Sequence, residues 1–164
     1  MRTALAVSLV AVLAIPALTA FRAPPIPVSS VSVTIGPKLQ AKAREYGQRD
    51  LDQLRQELKT DVERAVARQG RSGPGGVRLE LEIVDAKPSR PTFAQMGHNP
   101  SLSMRSIYTG GGTIRGVEHG PRGDRTLSYS WYESDIRNER GSVTWTDADR
   151  AFDMFAREYA AGKR

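Results

Sequence analysis

Val77-Arg78-Leu79-Glu80-Leu81-Glu82-Ile83-Val84-Asp85-Ala86 is the stretch whose reading decides the fold. Val77, Leu79, Leu81 and Ile83 alternate with Arg78, Glu80 and Glu82. Side chains of an extended chain point to opposite faces in turn, so this pattern predicts a strand with one buried and one solvated face. Gly70 to Gly76, GRSGPGG, is a turn that delivers the chain into it. Before that turn the period changes. Leu51, Leu54, Leu58, Val62, Ala65 and Val66 recur at three and four residues, which predicts a helix with one apolar stripe. Asp50 is the expected N-cap and Gly70 the expected C-terminal stop. Leu39, Ala43 and Tyr46 would extend the stripe backwards, but Gly47 is costly inside a helix. Further upstream Val31, Val33 and Ile35 alternate with Ser32 and Thr34, another strand, closed by Gly36-Pro37.

Downstream, residues 86–106 carry three prolines and little periodicity, the pattern of a long irregular segment. Ile107 to His119 reads as a strand weakened by Gly110-Gly111-Gly112 and Gly116, where glycine permits a bulge, a kink or close backbone approach. A turn at 120–125 leads to Leu127, Tyr129 and Trp131, alternating with Ser128, Ser130 and Tyr132. The two strands are expected to pair as a hairpin. Thr146 to Ala161 closes the chain as a helix whose apolar face is Ala148, Ala151, Phe152, Phe155 and Tyr159, with Thr146 and Asp149 spaced like a capping box. The order β-α-β-β-β-α predicts an α+β fold of two layers, two helices packed on one face of a small mixed sheet. A strand, helix and strand in succession imply that the first two strands run parallel.

The chain has 164 residues, a formal charge of +6 and no cysteine. That excludes disulfides, thiolate metal sites and thiol nucleophiles. Arg2 precedes an apolar run from Ala4 to Leu18 interrupted only by Ser8 and Pro16, with a small residue at Ala20. This predicts a secretory signal peptide over residues 1–20, a Pro-rich spacer over 21–30 and a single domain over 31–164. With the leader removed no stable transmembrane span is expected, and a periplasmic or cell-envelope location follows.

Trp131-Tyr132-Glu133-Ser134-Asp135-Ile136, followed by Thr144-Trp145-Thr146-Asp147-Ala148 and by Phe152 and Phe155-Ala156, resembles a group of small exported proteins of proteobacteria without an assigned activity. The resemblance covers about the last third of the chain. The element order is also similar to small envelope accessory domains, which implies interaction or assembly work rather than a particular chemistry.

No segment carries a specific catalytic signature. His98, His119 and Glu118 would make a zinc set only if the long loop folded over the hairpin, and Glu118 and His119 point to opposite faces of a regular strand. Ser128 or Ser130 with His119 and Asp135 composes a triad on paper, without the Gly-x-Ser-x-Gly turn that holds a nucleophile. Glu133 and Asp135, two apart, would project from one face of an extended segment as a carboxylate pair. Glu133, Asp135 and His119 are therefore the candidate catalytic residues of a small envelope hydrolase, the alternative reading. Arg122-Gly123-Asp124 is explained by turn chemistry. Residues 86–125 hold six basic residues against Glu118 and Asp124, so this part carries most of the positive field. Arg115, Arg122, Arg125 and Tyr132, with the loop 86–106 and the Gly-rich strand, are the candidate binding surface. The expected partner is an envelope protein or an anionic polymer or lipid, not nucleic acid. No metal site and no cofactor are expected.

Overall fold

The computed structural model describes residues 26–164. The leader and the first half of the spacer lie outside the described residues. β1 (Val28–Ile35) runs parallel to β2 (Val77–Lys87), which pairs antiparallel with β3 (Gly111–Gly120), and β3 pairs antiparallel with β4 (Gly123–Tyr132). The spatial order is β1-β2-β3-β4, so every strand lies beside its neighbour in sequence. Two long helices, α3 (Gln48–Arg68) and α5 (Thr146–Ala160), pack against each other and onto one face of this mixed sheet. The short helices α1 (Pro37–Gln40), α2 (Ala43–Tyr46) and α4 (Phe93–His98) sit where the chain leaves β1 and β2. The expected α+β order and the parallel first pair are observed.

The core is the inward half of the alternation. Val77, Leu79, Leu81 and Ile83 face Leu51, Leu54, Leu58 and Val62 of α3 and Phe152, Phe155 and Tyr159 of α5, all buried. A bulge between Ile83 and Asp85 shifts the alternation, so Ala86 turns inward while Asp85 reaches the open face. Residues Ser32, Thr34, Glu80, Glu82, Thr113, Arg115, Ser128 and Ser130 occupy that open face, which neither long helix covers.

Several boundaries differ from the sequence reading. β1 starts at Val28, inside the expected spacer, because Val28 pairs with Val77 and bonds to Arg71 O. Gly47, at φ 99°, ends α2 and redirects the chain into α3. This breaks the stripe into separate helices, while Leu39 and Tyr46 stay buried. Asp50 is not the N-cap. Its carboxylate accepts from Trp145 Nε1 at 2.8 Å. Thr146 and Asp149 form no capping box either. Trp145 occupies the N-cap of α5, and Thr146 Oγ1 accepts from Val143 N. The capping box that does exist is in the segment read as irregular, between Thr92 and Gln95 at the start of α4. β3 begins at Gly111 rather than Ile107, since Tyr108 N is drawn off to Ser89 O.

Candidate functional site

The strands β1 and β2 end, and β3 begins, at the same end of the sheet. There the segment 88–110 and the segment 133–145 meet the first turn of α5. Asp147 is the hub. It has no solvent exposure, and its Oδ2 accepts from Ser89 Oγ and from Gly110 N, both at 2.8 Å. Ser89 Oγ in turn accepts from Asp147 N at 3.2 Å. A Cβ on Gly110 would stand 2.7 Å from Lys87 O and 2.8 Å from Ser89 Oγ. One on Gly111 would stand 2.4 Å from Trp131 O. The glycine run thus provides the close backbone approach that the sequence suggested. Arg90 ties the two segments together by donating to the carbonyls of Ser142 (2.6 Å), Met104 (2.7 Å) and Glu139 (3.3 Å).

Two further carboxylates join Asp147. Glu133, Glu139 and Asp147 each place an oxygen within 4.8 Å of the others. Glu139 lies at the end of the 3-10 turn Ile136–Glu139 and is 1% exposed. Neither of its carboxylate oxygens makes a hydrogen bond, nor does the hydroxyl of Ser142 beside it. Burial, then the adjoining Asp147, pushes Glu139 well above the usual carboxylate range. Glu133 moves the other way, held low first by the backbone N–H of Asp135 and also by that of Ser134. Arg150 Nη1 lies 3.3 Å from Glu133 and 3.4 Å from Asp147.

Two carboxylates driven apart in this way carry the electrostatics of an acid and base. Their setting does not match, because Glu139 and Asp147 are buried and present no open cleft to a substrate. Glu133 and Asp135 do not form the expected pair: Glu133 turns to Arg150 and Asp135 to Arg137. β4 ends at Tyr132, and the amides of Ser134 and Asp135 turn back onto Glu133 Oε1. His119 is at the far end of β3, with Nδ1 2.9 Å from Asp124 and Nε2 3.6 Å from Glu80. His98 ends α4, where its Nδ1 sits 2.7 Å from Ala94 O. The two histidines therefore share no site, and neither meets Asp135.

The basic trio is dispersed as well. Arg115 lies on the open face opposite Ser128. Arg125 is on the helix-facing side, bound to Glu118 at 2.8 Å. Arg122 is in the two-residue turn between Gly120 and Gly123. In the hairpin register odd positions of β3 pair with even positions of β4, so Arg115 shares the face of Ser128 while Arg125 shares that of Glu118, and with Arg122 in the turn the three make no single patch. Tyr132 is on the open face as expected, but its hydroxyl is engaged by Thr113 Oγ1 at 3.1 Å and Asp85 at 3.4 Å. Trp145 is buried edge-on against Tyr46 with ring centroids 5.6 Å apart.

The exposed surface of the two segments has its own character. Among the described residues the exposed large hydrophobics are Phe93, Met104, Ile107, Tyr108, Ile136 and Val143. All six belong to the two segments that Arg90 ties together. Phe93 is 80% exposed and Val143 62%. Sequence reasoning missed this concentration because the six residues are scattered over 51 positions with no period.

No protein-family model matches the chain, and comparison with curated proteins and with solved structures finds no match.

Proposed function

We propose that the protein is an exported, non-enzymatic interaction module of the cell envelope that docks a partner protein through the loop-built end of its sheet. The observation that carries this reading is the gathering of every exposed large hydrophobic among the described residues on two laced segments. A concentration of apolar surface with a polar border is the usual mark of a protein contact. Arg105 and Arg140 stand in the same segments and form no ion pair among the described residues. The complementary partner surface is apolar with an acidic rim. The chain enters the fold at Val28, paired with Val77, while the docking surface lies beyond Lys87. Strand rise puts these ends roughly 30 Å apart. The arginines are dispersed while the exposed apolar side chains are gathered on these segments, which favours a protein over an anionic lipid surface. Among the described residues no helix is long and apolar enough to cross a membrane. The leader pattern of residues 1–20 supports export.

The test is recovery from a gently crosslinked envelope extract on the tagged full chain and on a Phe93→Ser, Val143→Ser double variant of equal circular dichroism. A protein recovered with the parent chain and lost with the variant is the expected result. Equal recovery overturns the docking surface. Flotation of the parent chain with anionic vesicles, without protein recovery, overturns the protein partner in favour of lipid.

A further inference from the structure

We propose that Glu133, Glu139 and Asp147 form a calcium site that fastens the 133–145 segment to α5. Three carboxylates within 4.8 Å are not a site in themselves. The second observation is Glu139, whose side chain is 1% exposed, is aimed into the cluster, and has two oxygens without a hydrogen bond. The buried Ser142 hydroxyl beside it is equally without one. Buried polar groups in folded proteins find partners, so these orphan oxygens mark a missing one.

Charge specifies what is missing. Among the described residues the only cation touching the cluster is Arg150, through a single nitrogen at 3.3 and 3.4 Å, from a side chain 42% exposed. With the Glu139 proton displaced by a bound cation, three carboxylates against one guanidinium leave two negative charges, which a divalent ion balances. The available donors are all oxygen, carboxylates and a hydroxyl, with no cysteine in the chain and both histidines elsewhere. Hard oxygen sets select calcium or magnesium over zinc or copper. Magnesium demands a near-ideal octahedron and retains its waters, whereas calcium accepts the irregular geometry of ligands drawn from a loop, a 3-10 turn and a helix start. Glu133, at the border of the cluster with its side chain 10% exposed, marks the way in. This inference rests on the cluster's geometry and stands or falls apart from the docking reading.

The probe is terbium, a calcium substitute that emits when excited through a nearby tryptophan. Trp131 is suitably placed, with the Arg150 guanidinium 5.5 Å from its ring. The full chain should give saturable terbium emission that calcium displaces, and calcium should raise its unfolding temperature. Glu139→Gln should weaken terbium at least about tenfold, the scale on which charged ligands tune such sites. Asp135→Asn should leave it unchanged. Glu133→Gln, on the border, serves if Glu139→Gln fails to fold. Emission that is not saturable, or is unaltered in both Gln variants, overturns the site as collection of ions by surface carboxylates. An unfolding temperature indifferent to calcium overturns it in favour of a proton shared between Glu139 and Asp147.

Discussion

Asp147 is acceptor to a serine 58 residues away in sequence and to the amide of a glycine that tolerates no side chain. Ser89→Ala removes one of these donors and leaves a buried carboxylate short of a partner. The expected cost is about 1–3 kcal/mol, read from urea unfolding followed by circular dichroism. Gly110→Ala forces a methyl against Lys87 O and should cost about 1–3 kcal/mol. Gly97, in α4, is the matched control, with ordinary helical backbone and open space where a Cβ would go. Gly97→Ala should stabilise the protein by about 0.4–1 kcal/mol, since it restricts the unfolded chain without meeting anything. Equal effects at the two glycines would contradict the close approach at Gly110. The role of the glycine run was legible beforehand, because a Gly triplet that opens a strand has few other uses. The role of Asp147 was not. An acidic residue at the head of an apolar-striped helix reads as a favourable charge near the helix N-terminus, and nothing in the local pattern reveals that loop backbone has closed over it.

At the scale of elements, the two long helices are held to the sheet by different means. α3 is held by its stripe, in which Leu51, Leu54, Leu58 and Val62 have no solvent exposure. Leu58→Ala should cost about 2–5 kcal/mol in chemical denaturation, and a change below about 0.5 kcal/mol would mean that the helix is not core. α5 adds polar anchors at its C-terminal end. Arg71 donates to the carbonyls of Tyr159 (2.8 Å) and Ala160 (3.0 Å) in the last turn, where Tyr159 O also accepts from Gly162 N. Tyr159 Oη donates to Glu118 at 2.7 Å, and Arg125 pairs with the same oxygen. Burial works against ionisation of Glu118, but the hydrogen bonds from Arg125 and Tyr159 outweigh it and lower its pKa below 4.5. A lowered carboxylate stabilises the folded chain above its unfolded pKa, and that stability is lost as pH falls through the folded value. Tyr159→Phe should therefore lower stability at pH 7 and flatten its decline below about pH 4.5. Urea midpoints across pH 3 to 7 would show this, and parallel curves for the two proteins would contradict it. Both helices and all four strands were legible because each buries one face, and burial of one face writes a period into the sequence. The caps were misassigned for a related reason. Asp50, Thr146 and Asp149 are the right residue types, but a distant partner, Trp145, claimed Asp50, and the amide of Val143 in the preceding turn claimed Thr146.

The molecule has two unlike ends. At one, the β3–β4 turn with Arg122, the Gly70–Gly76 turn and the start of β1 are polar or glycine-rich. At the other, the segments 88–110 and 133–145 enclose a carboxylate cluster and show apolar side chains to solvent. The sequence reading puts the irregular 86–106 segment in the expected contact surface, and the proposed docking surface also takes in the second segment and the exposed apolar residues. The arginine trio scatters because its members were grouped by proximity along the chain, whereas strand alternation and a turn assign them to different sides. Phe93→Ser with Val143→Ser should leave the unfolding temperature within a few degrees of the parent, since surface substitutions commonly change stability by less than about 0.5 kcal/mol. A large loss in a thermal melt would instead make these residues part of the fold. The most direct test of the docking end is a photo-crosslinking residue placed in the full chain, one position at a time, at Val143, Tyr108, Ser128 and Arg122 in intact cells. The docking account predicts one discrete adduct of the same partner from Val143 and Tyr108, and none from Ser128 on the open face or Arg122 on the far turn. Adducts from Ser128 or Arg122 with none from the two loop positions would contradict it.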